Sequence, residues 1–310
     1  MSCLGLGLAA LGRPAYITSG RTDDLGGERS TASMERRCHD VLDAAYAGGI
    51  RYVDAARSYG LAEAFLASWL ARRRPGDPVF VASKWGYRYV GDWQMHAPVH
   101  ETKDLSFEAL VRQLGESRGI LGNHLNLYQI HSATIESGVL RNQQVIRELA
   151  RLRATGVEIG LTTTGPAQTD VIRQALMVKA DGVSLFQSVQ STWNLLETSA
   201  GAALSEAHDY GWRVVIKEAL ANGRLSGRGE EHEIGPLIGM ARELNVTADA
   251  LALAAALRRP WADVVLSGAV TPEQLRSNLN AKQVAPVADW PSMAQVPGDY
   301  WASRAKRQWG

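Results

Sequence analysis

An acid, a phenol, an amine and an imidazole sit in four short segments of this chain, in an order that carbonyl reduction could use. The segments are Arg51-Tyr52-Val53-Asp54, Ser58-Tyr59-Gly60, Val81-Ala82-Ser83-Lys84 and Tyr128-Gln129-Ile130-His131. Three of the four are apolar, strand-like runs that end on the polar residue. Reducing a carbonyl takes a hydride and a proton, and the proton donor must stand over the carbonyl oxygen with a suitable pKa. A free phenol, with a pKa of about 10, releases its proton reluctantly unless a nearby cation stabilises the phenolate. Tyr59 could be the donor and Lys84 the cation. Asp54 could keep Lys84 charged and oriented, and His131 could hydrogen-bond the carbonyl oxygen. Singly, each has a plainer role: a capping Asp, a Tyr packed in a turn, a Lys reaching solvent, a satisfied buried His. It is their joint order that points to one proton-transfer site.

Such a site needs distant segments brought to one face. Apolar strand-like runs alternate with amphipathic helical stretches along the chain, as parallel βα units require. Candidate strands are 4–9, 51–55, 79–82, 126–130, 157–161, 182–186, 213–216 and 263–266. Candidate helices are 31–47, 62–73, 107–120, 142–154, 168–178, 201–210, 236–244, 248–258 and 272–282. Thr271-Pro272-Glu273 reads as an N-cap followed by proline at the first helical position, and Thr247 could cap its helix. The count predicts a single-domain (β/α)8 TIM barrel over residues 1–310, with a C-terminal tail from about residue 285. An open dinucleotide-binding sheet would need a third glycine after Gly5-Leu6-Gly7 and an immediate helix, and has neither. The stretch 86–104, with Tyr87, Tyr89 and Trp93, reads as a long irregular loop on the active-site face, and the tail from Ala285, with Trp290, Tyr300, Trp301 and Trp309, as a second irregular stretch; their aromatics read as pocket lining, with a structural cover over the barrel as the alternative.

Composition narrows the class of partner. The 310 residues carry a net charge of +1, so no overall field favours nucleic acid or an anionic membrane. The short basic run Arg72, Arg73 and Arg74 reads as a solvated helix end. Cys3 and Cys38 have no metal or disulfide spacing, no apolar run approaches the length of a membrane span, and the N-terminus makes a poor signal peptide. A reducing cytoplasm is the expected setting.

The chain resembles the aldo-keto reductase superfamily nearly end to end. Tyr52-Val53-Asp54-Ala55-Ala56 with Ser58-Tyr59-Gly60 resembles the family's second-strand signature, Ser83-Lys84-Trp85-Gly86 its lysine motif, and Leu127-Tyr128-Gln129-Ile130-His131 its histidine motif. The resemblance implies that Asp54, Tyr59, Lys84 and His131 form a catalytic tetrad. It also implies a nicotinamide cofactor extended across the barrel's carboxyl face, NADP with NAD as the alternative. Gly160-Leu161-Thr162-Thr163 resembles a turn that contacts the nicotinamide amide, and the segment from Val189 to Leu196 resembles the family's glutamine strand, with Gln190 on the carboxamide and Trp193 near a stacking aromatic. The run from Lys217 to Gly223 resembles the pyrophosphate loop, which brings in Lys217, Leu220, Asn222 and Gly223. The run from Ser267 to Asn278 resembles an adenosine-phosphate motif, which brings in Ser267, Gly268, Thr271, Gln274, Arg276 and Asn278. Trp85, Tyr87, Trp93 and Trp193 are then the expected substrate pocket.

Several positions depart from the family pattern. Ala55 replaces a common threonine and Thr163 a common asparagine. Gly268 and Gln274 stand near where some members place basic residues for a 2′-phosphate, leaving Arg276 as the candidate contact. The expected activity is NAD(P)H-dependent reduction of an aldehyde or ketone, or the reverse. Two alternatives remain open from sequence: a cofactor-binding regulatory or scaffold barrel, and a lyase or isomerase using Lys84 as a Schiff-base amine.

Overall fold

Eight parallel strands close into one barrel in the computed structural model, which describes residues 2–17, 21–73, 78–228 and 231–309. They are β1 Cys3–Gly7, β2 Tyr52–Asp54, β3 Phe80–Trp85, β4 Leu125–Ala133, β5 Glu158–Thr163, β6 Ser188–Thr192, β7 Arg213–Lys217 and β8 Val264–Ser267. Each pairs with its sequence neighbours, and β1 closes the ring by pairing with both β2 and β8. Closure removes every free strand edge. It also makes each strand two-sided. One side faces the helix ring, where most of the apolar core lies. The other faces the barrel interior, where Tyr52, Ala82, Leu127, Val215, Val264 and Leu266 form a small separate cluster. Gly5 makes room there, since a Cβ on it would lie 2.8 Å from Val264 and 3.1 Å from Tyr52.

The helices follow the expected pattern closely where caps mark them. Thr31–Ala47 begins after Ser30, whose hydroxyl accepts from Ser33 N–H, and Phe107–Leu121 begins after Ser106 in the same manner. Pro272–Leu279 is capped by Thr271 with proline in its first turn, as the sequence predicted. Cys3 lies on a strand and Cys38 on a helix, both as free thiols. Arg73 folds over the rings of Tyr46 and Trp69, whereas Arg74 lies outside the described residues.

Five expectations need correction. The sixth barrel strand is Ser188–Thr192, not 182–186. Its sequence, Ser-Val-Gln-Ser-Thr, is polar because its side chains meet other polar groups inside the fold, so apolar-run reading passed over it. Val183–Ser184 instead pairs with Lys179–Ala180 in a small antiparallel hairpin. The stretch 86–104 is not wholly irregular, for Tyr87–Tyr89 pairs with Glu101–Lys103. The tail carries a helix, Pro297–Ala305. Thr247 makes no capping bond, and its hydroxyl meets Ser277 Oγ at 3.1 Å. Pro236 lies inside the helix Glu231–Glu243, not at its start.

Candidate active site

The barrel's geometry gathers the four predicted residues. Asp54 ends β2, Lys84 is the penultimate residue of β3 and His131 lies late in β4, while Tyr59 follows β2 in a tight turn. That turn is locked against the segment after β1. Leu61 N–H donates to Gly12 O at 2.7 Å. A Cβ on Gly12 would lie 2.1 Å from Tyr59 O, and Gly60 has φ +61. Two glycines therefore allow one backbone to lie on the other, and Tyr59 is held between Arg13 and the barrel mouth.

Lys84 is 1% exposed and its ammonium is fully engaged. It donates to Asp54 Oδ2, to Ala55 O at 2.9 Å and to the Tyr59 hydroxyl at 3.3 Å. Asp54 Oδ1 accepts from Gln190 Nε2 at 2.9 Å and from Gln129 Nε2 at 3.3 Å. Side chains from β2, β3, β4 and β6 thus meet in one polar layer, and β6 contributes through its glutamine. Because Lys84 donates to the phenolic oxygen, the phenol's own proton is directed elsewhere. His131 stands edge-on to Tyr59, with ring centroids 5.5 Å apart, and to Tyr87 at 5.0 Å. Its Nδ1 is buried and finds no partner within the protein.

Electrostatics give each group a definite charge state. Burial holds the His131 ring well below the usual imidazole range, and Lys84, Lys217, Arg13 and Lys103 push it the same way. His131 is therefore neutral at ordinary pH and donates from one ring nitrogen only. Burial and the Asp54 carboxylate push the Tyr59 phenol well above 10, with Arg13 opposing them. This departs from the expectation that Lys84 draws the phenol toward neutrality, and burial is the first reason, with the Asp54 anion second. Tyr59 is thus a firmly protonated phenol. Lys84 is lowered by burial while Asp54 works to keep it charged. With all three N–H positions engaged, it has no lone pair to offer a carbonyl.

The tetrad opens onto one elongated cleft of about 610 Å³ at the carboxyl ends of the strands. Asp54, Tyr59, His131 and Tyr87 line it, as do Gln190, Lys217, Leu220, Asn222, Gly223, Ser267, Gly268, Gln274 and Asn278. Thr162, Thr271, Arg276, Trp85, Trp93 and Trp193 do not. Thr162 is buried behind the wall, where its hydroxyl accepts from Ser132 N–H at 2.7 Å and holds the kink at Ser132, φ +54. Thr271 spends its hydroxyl on the helix cap, accepting from Gln274 N–H. Arg276 is exposed and ion-pairs with Glu273. Trp85 is fully buried in the apolar core. Trp93 donates from Nε1 to Arg29 O at 2.7 Å and borders a different depression beside Tyr89. Trp193 packs edge-on to Trp261 at 5.8 Å with Arg259 over its face, outside the cleft. Strand alternation turns Trp85 away from the side of its neighbour Lys84, whereas Trp93 and Trp193 lie beyond their strands and Thr271 and Arg276 belong to the capped helix after β8.

Sequence reading missed Arg13 and Glu218 as cleft residues, while Trp309 was among the tail aromatics it read as pocket lining. Arg13 donates to Ser58 O at 2.8 Å and to Glu101 at 2.7 Å, with its guanidinium 5.2 Å from the Tyr59 ring centroid. Trp309 stacks on His100 at 4.4 Å and lies under Arg13 at 4.5 Å. Glu218 sits at φ +54 and accepts a forked pair of bonds from Arg304 of the C-terminal helix. Arg304, Lys217 and these hydrogen bonds hold Glu218 down at about 2 against its burial, while burial brings Lys217 down to about 8. The N-terminal Gly-Arg-Pro turn and the tail's Arg304 are apart from any strand end, which left them without a pattern. Among the described residues no group of three or more His, Cys, Asp or Glu is placed to hold a metal ion. No helix among them is long and apolar enough to cross a membrane.

Two buried polar atoms on the cleft point to an absent ligand: His131 Nδ1 and Asn222 Oδ1, the latter on a residue 8% exposed. The cleft joins an unsatisfied acceptor to the proton-transfer group, and a ligand that spans both would satisfy it.

Residues 4–289 match the model of the Aldo/keto reductase family. Protein tas from Escherichia coli (strain K12) is 22% identical over 298 residues, covering 80% of this chain and 85% of that one. An aldo-keto reductase from Bacillus halodurans, solved in its holo form, superposes with a TM-score of 0.68 at 21% identity, covering 98% of this chain and 92% of its own. A glycerol dehydrogenase from Gluconobacter oxydans gives a TM-score of 0.64 at 19% identity, with 97% and 90% covered. At these identities the structural likeness speaks to the fold.

Proposed function

The chain belongs to the aldo/keto reductase family, and from that premise we propose that it interconverts a small aldehyde or ketone with its alcohol, with Tyr59 exchanging the proton. The observation that carries this reading is the hydrogen-bonded chain Asp54–Lys84–Tyr59 opening beside His131 onto the cleft. A nicotinamide dinucleotide, when bound, supplies or accepts the hydride. Gln190, Lys217, Leu220, Asn222 and Gly223 would border its reactive and pyrophosphate portions, and Ser267, Gly268, Gln274 and Asn278 its adenosine portion. The setting we propose is the cytoplasm.

The residues' roles follow from their charge states. Tyr59 keeps its proton until negative charge develops on a nearby oxygen, and then donates it. Lys84, already bonded to the phenolic oxygen, stabilises the phenolate left behind. Asp54 holds Lys84 charged in a buried site, and Gln129 and Gln190 hold Asp54. Neutral His131 donates to the carbonyl oxygen and orients it. In the oxidative direction the same groups run in reverse. Lys84's engaged donors favour this chemistry over imine formation, and the intact tetrad favours it over a scaffold without turnover.

The test is consumption of NADH or NADPH with a panel of aldehydes and ketones, beside protein-fluorescence titration with each dinucleotide. Binding without turnover of any carbonyl would favour the scaffold reading. Absence of dinucleotide binding would remove the oxidoreductase reading altogether.

A further inference from the structure

The cleft has a chemical polarity that bears on which dinucleotide it takes. The tetrad marks the nicotinamide end, because the reacting carbonyl must lie against Tyr59 and His131. The cleft wall after β8 carries Ser267, Gly268, Gln274, Ser277 and Asn278, and Asp24, Arg228, Asp249 and Glu273 line the same cleft. An extended dinucleotide would place its adenosine ribose there. The last four bring three carboxylates and one guanidinium, and the guanidinium is committed: Arg228 donates to Asp24 through two bonds, at 2.7 and 2.5 Å. Arg276 lies off the wall, tied to Glu273. Asp249 is held in place by Asn278 Nδ2, which donates to its Oδ2 at 2.8 Å, while Asn278 Oδ1 accepts from Ser267 Oγ at 2.7 Å.

We propose that this side of the cleft selects NAD(H) over NADP(H), with Asp249 as the carboxylate that accepts from the ribose hydroxyl and excludes a 2′-phosphate. A hydroxyl donates to a carboxylate, whereas a phosphate monoester, carrying about −1.5 to −2 charges at neutral pH, is repelled by one. The same acid-for-hydroxyl logic marks NAD sites in unrelated dinucleotide folds. The inference rests on the function proposed above and reverses the cofactor form that the family resemblance implies. Arg276, the candidate phosphate contact from sequence, serves as the partner of Glu273 instead.

The experiment is fluorescence titration of the full chain with NADH and with NADPH at low and raised salt, repeated on Asp249→Asn. NADH should bind at least about tenfold tighter, equivalent to ~1.4 kcal/mol. Salt should narrow the gap, because it screens repulsion of the phosphate. Asp249→Asn should narrow it further by tightening NADPH binding. NADPH binding as tightly as NADH overturns the proposal. So does a loss of NADPH affinity with salt that exceeds the loss for NADH, since that marks capture of the phosphate by cations. An unchanged ratio in Asp249→Asn overturns it as well. The wild-type salt series does not depend on how the variant folds. If either dinucleotide binds, the oxidoreductase reading stands whichever way the preference falls; if neither binds, both fall together.

Discussion

Two sides of the cleft are built by different means. At the tetrad, Asp54, Lys84, Gln129 and Gln190 come from four barrel strands, and each is almost fully buried. Their partners are fixed by strand register, for example Lys84 opposite Gln129 and Asp54 opposite Ala82. On the side proposed for adenosine, Ser267 ends β8 while the other polar groups come from helices and connecting segments, and the pairs Arg228–Asp24 and Arg276–Glu273 are partly or largely solvent-exposed. Exposed pairs contribute little to stability and exchange easily, whereas a buried ion pair cannot lose one partner cheaply. Proton chemistry is thus fixed in the barrel's frame, and cofactor choice is left to side chains that can change without disturbing it.

The sharpest break of that contrast is Tyr59→Phe. The ring stays and the proton donor goes, so carbonyl turnover should fall by about 10²–10⁴ while dinucleotide binding holds. Near-normal turnover would remove Tyr59 as the acid. Lys84→Met should come next. It removes the phenolate's stabiliser and leaves Asp54 buried with two amides and no cation, a change expected to cost about 3–5 kcal/mol of stability. Calorimetry should show the lowered Tm. The alkaline limb of alcohol oxidation should move to higher pH, since the phenol loses the N–H that stabilises its anion. An unchanged pH profile would take Lys84 out of the mechanism.

Glu218→Gln tests a link between the cleft and the C-terminal helix. Glu218 titrates at about 2 in the fold against an ordinary value of 4.5. A depressed carboxylate stabilises the fold above its unfolded pKa, and this contribution is lost as pH falls from about 4.5 through about 2. At about 1.4 kcal/mol per pKa unit, the ionised Glu218 with its partners Arg304, Lys217 and Thr192 contributes roughly 3 kcal/mol near neutrality, net of its burial. Urea unfolding of wild type and Glu218→Gln should therefore differ near pH 7 and converge toward pH 2. A gap that ignores pH would mean the contact between β7's end and the tail helix is not ionic in origin.

These outcomes bear on how much was legible in the sequence. Asp54, Lys84 and His131 stand out because each interrupts an apolar strand at its carboxyl end, where a closed barrel must gather them. β6 did not stand out, since Ser188, Gln190 and Thr192 are all buried and polar, a pattern that apolar runs cannot reveal. Caps carried the helices: Thr271-Pro272 and Thr247 both marked starts, although Thr247 holds the N-cap position without a side-chain bond. Arg13 escaped because its place depends on a long-range contact, the Gly12–Gly60 approach; Trp309 was legible only as one of several tail aromatics, and its stacking on His100 is what singles it out. A charge pattern such as Asp249 beside Asn278 is invisible until two helices are packed together.

The smallest kinetic effect separates two tryptophans. Trp93 reads from sequence as pocket lining, because it sits in the loop leaving β3. In the fold its indole is committed to Arg29 O and lies edge-on to Phe65, with centroids 6.4 Å apart, away from the cleft. Its backbone adopts φ +59, a left-handed turn within the loop. Trp309 comes from the far end of the chain and does line the cleft, clamped between His100 and Arg13 beside Tyr59. Trp93→Ala should lower stability by about 1–3 kcal/mol, the usual range for a lost packing contact, and change kcat/KM for short and long aldehydes by one common factor. Trp309→Ala should change their ratio, because it alters the volume and shape of the wall that meets the substrate. If Trp93→Ala shifts the ratio and Trp309→Ala does not, the substrate wall lies on the hairpin side, and the tail is only a cover.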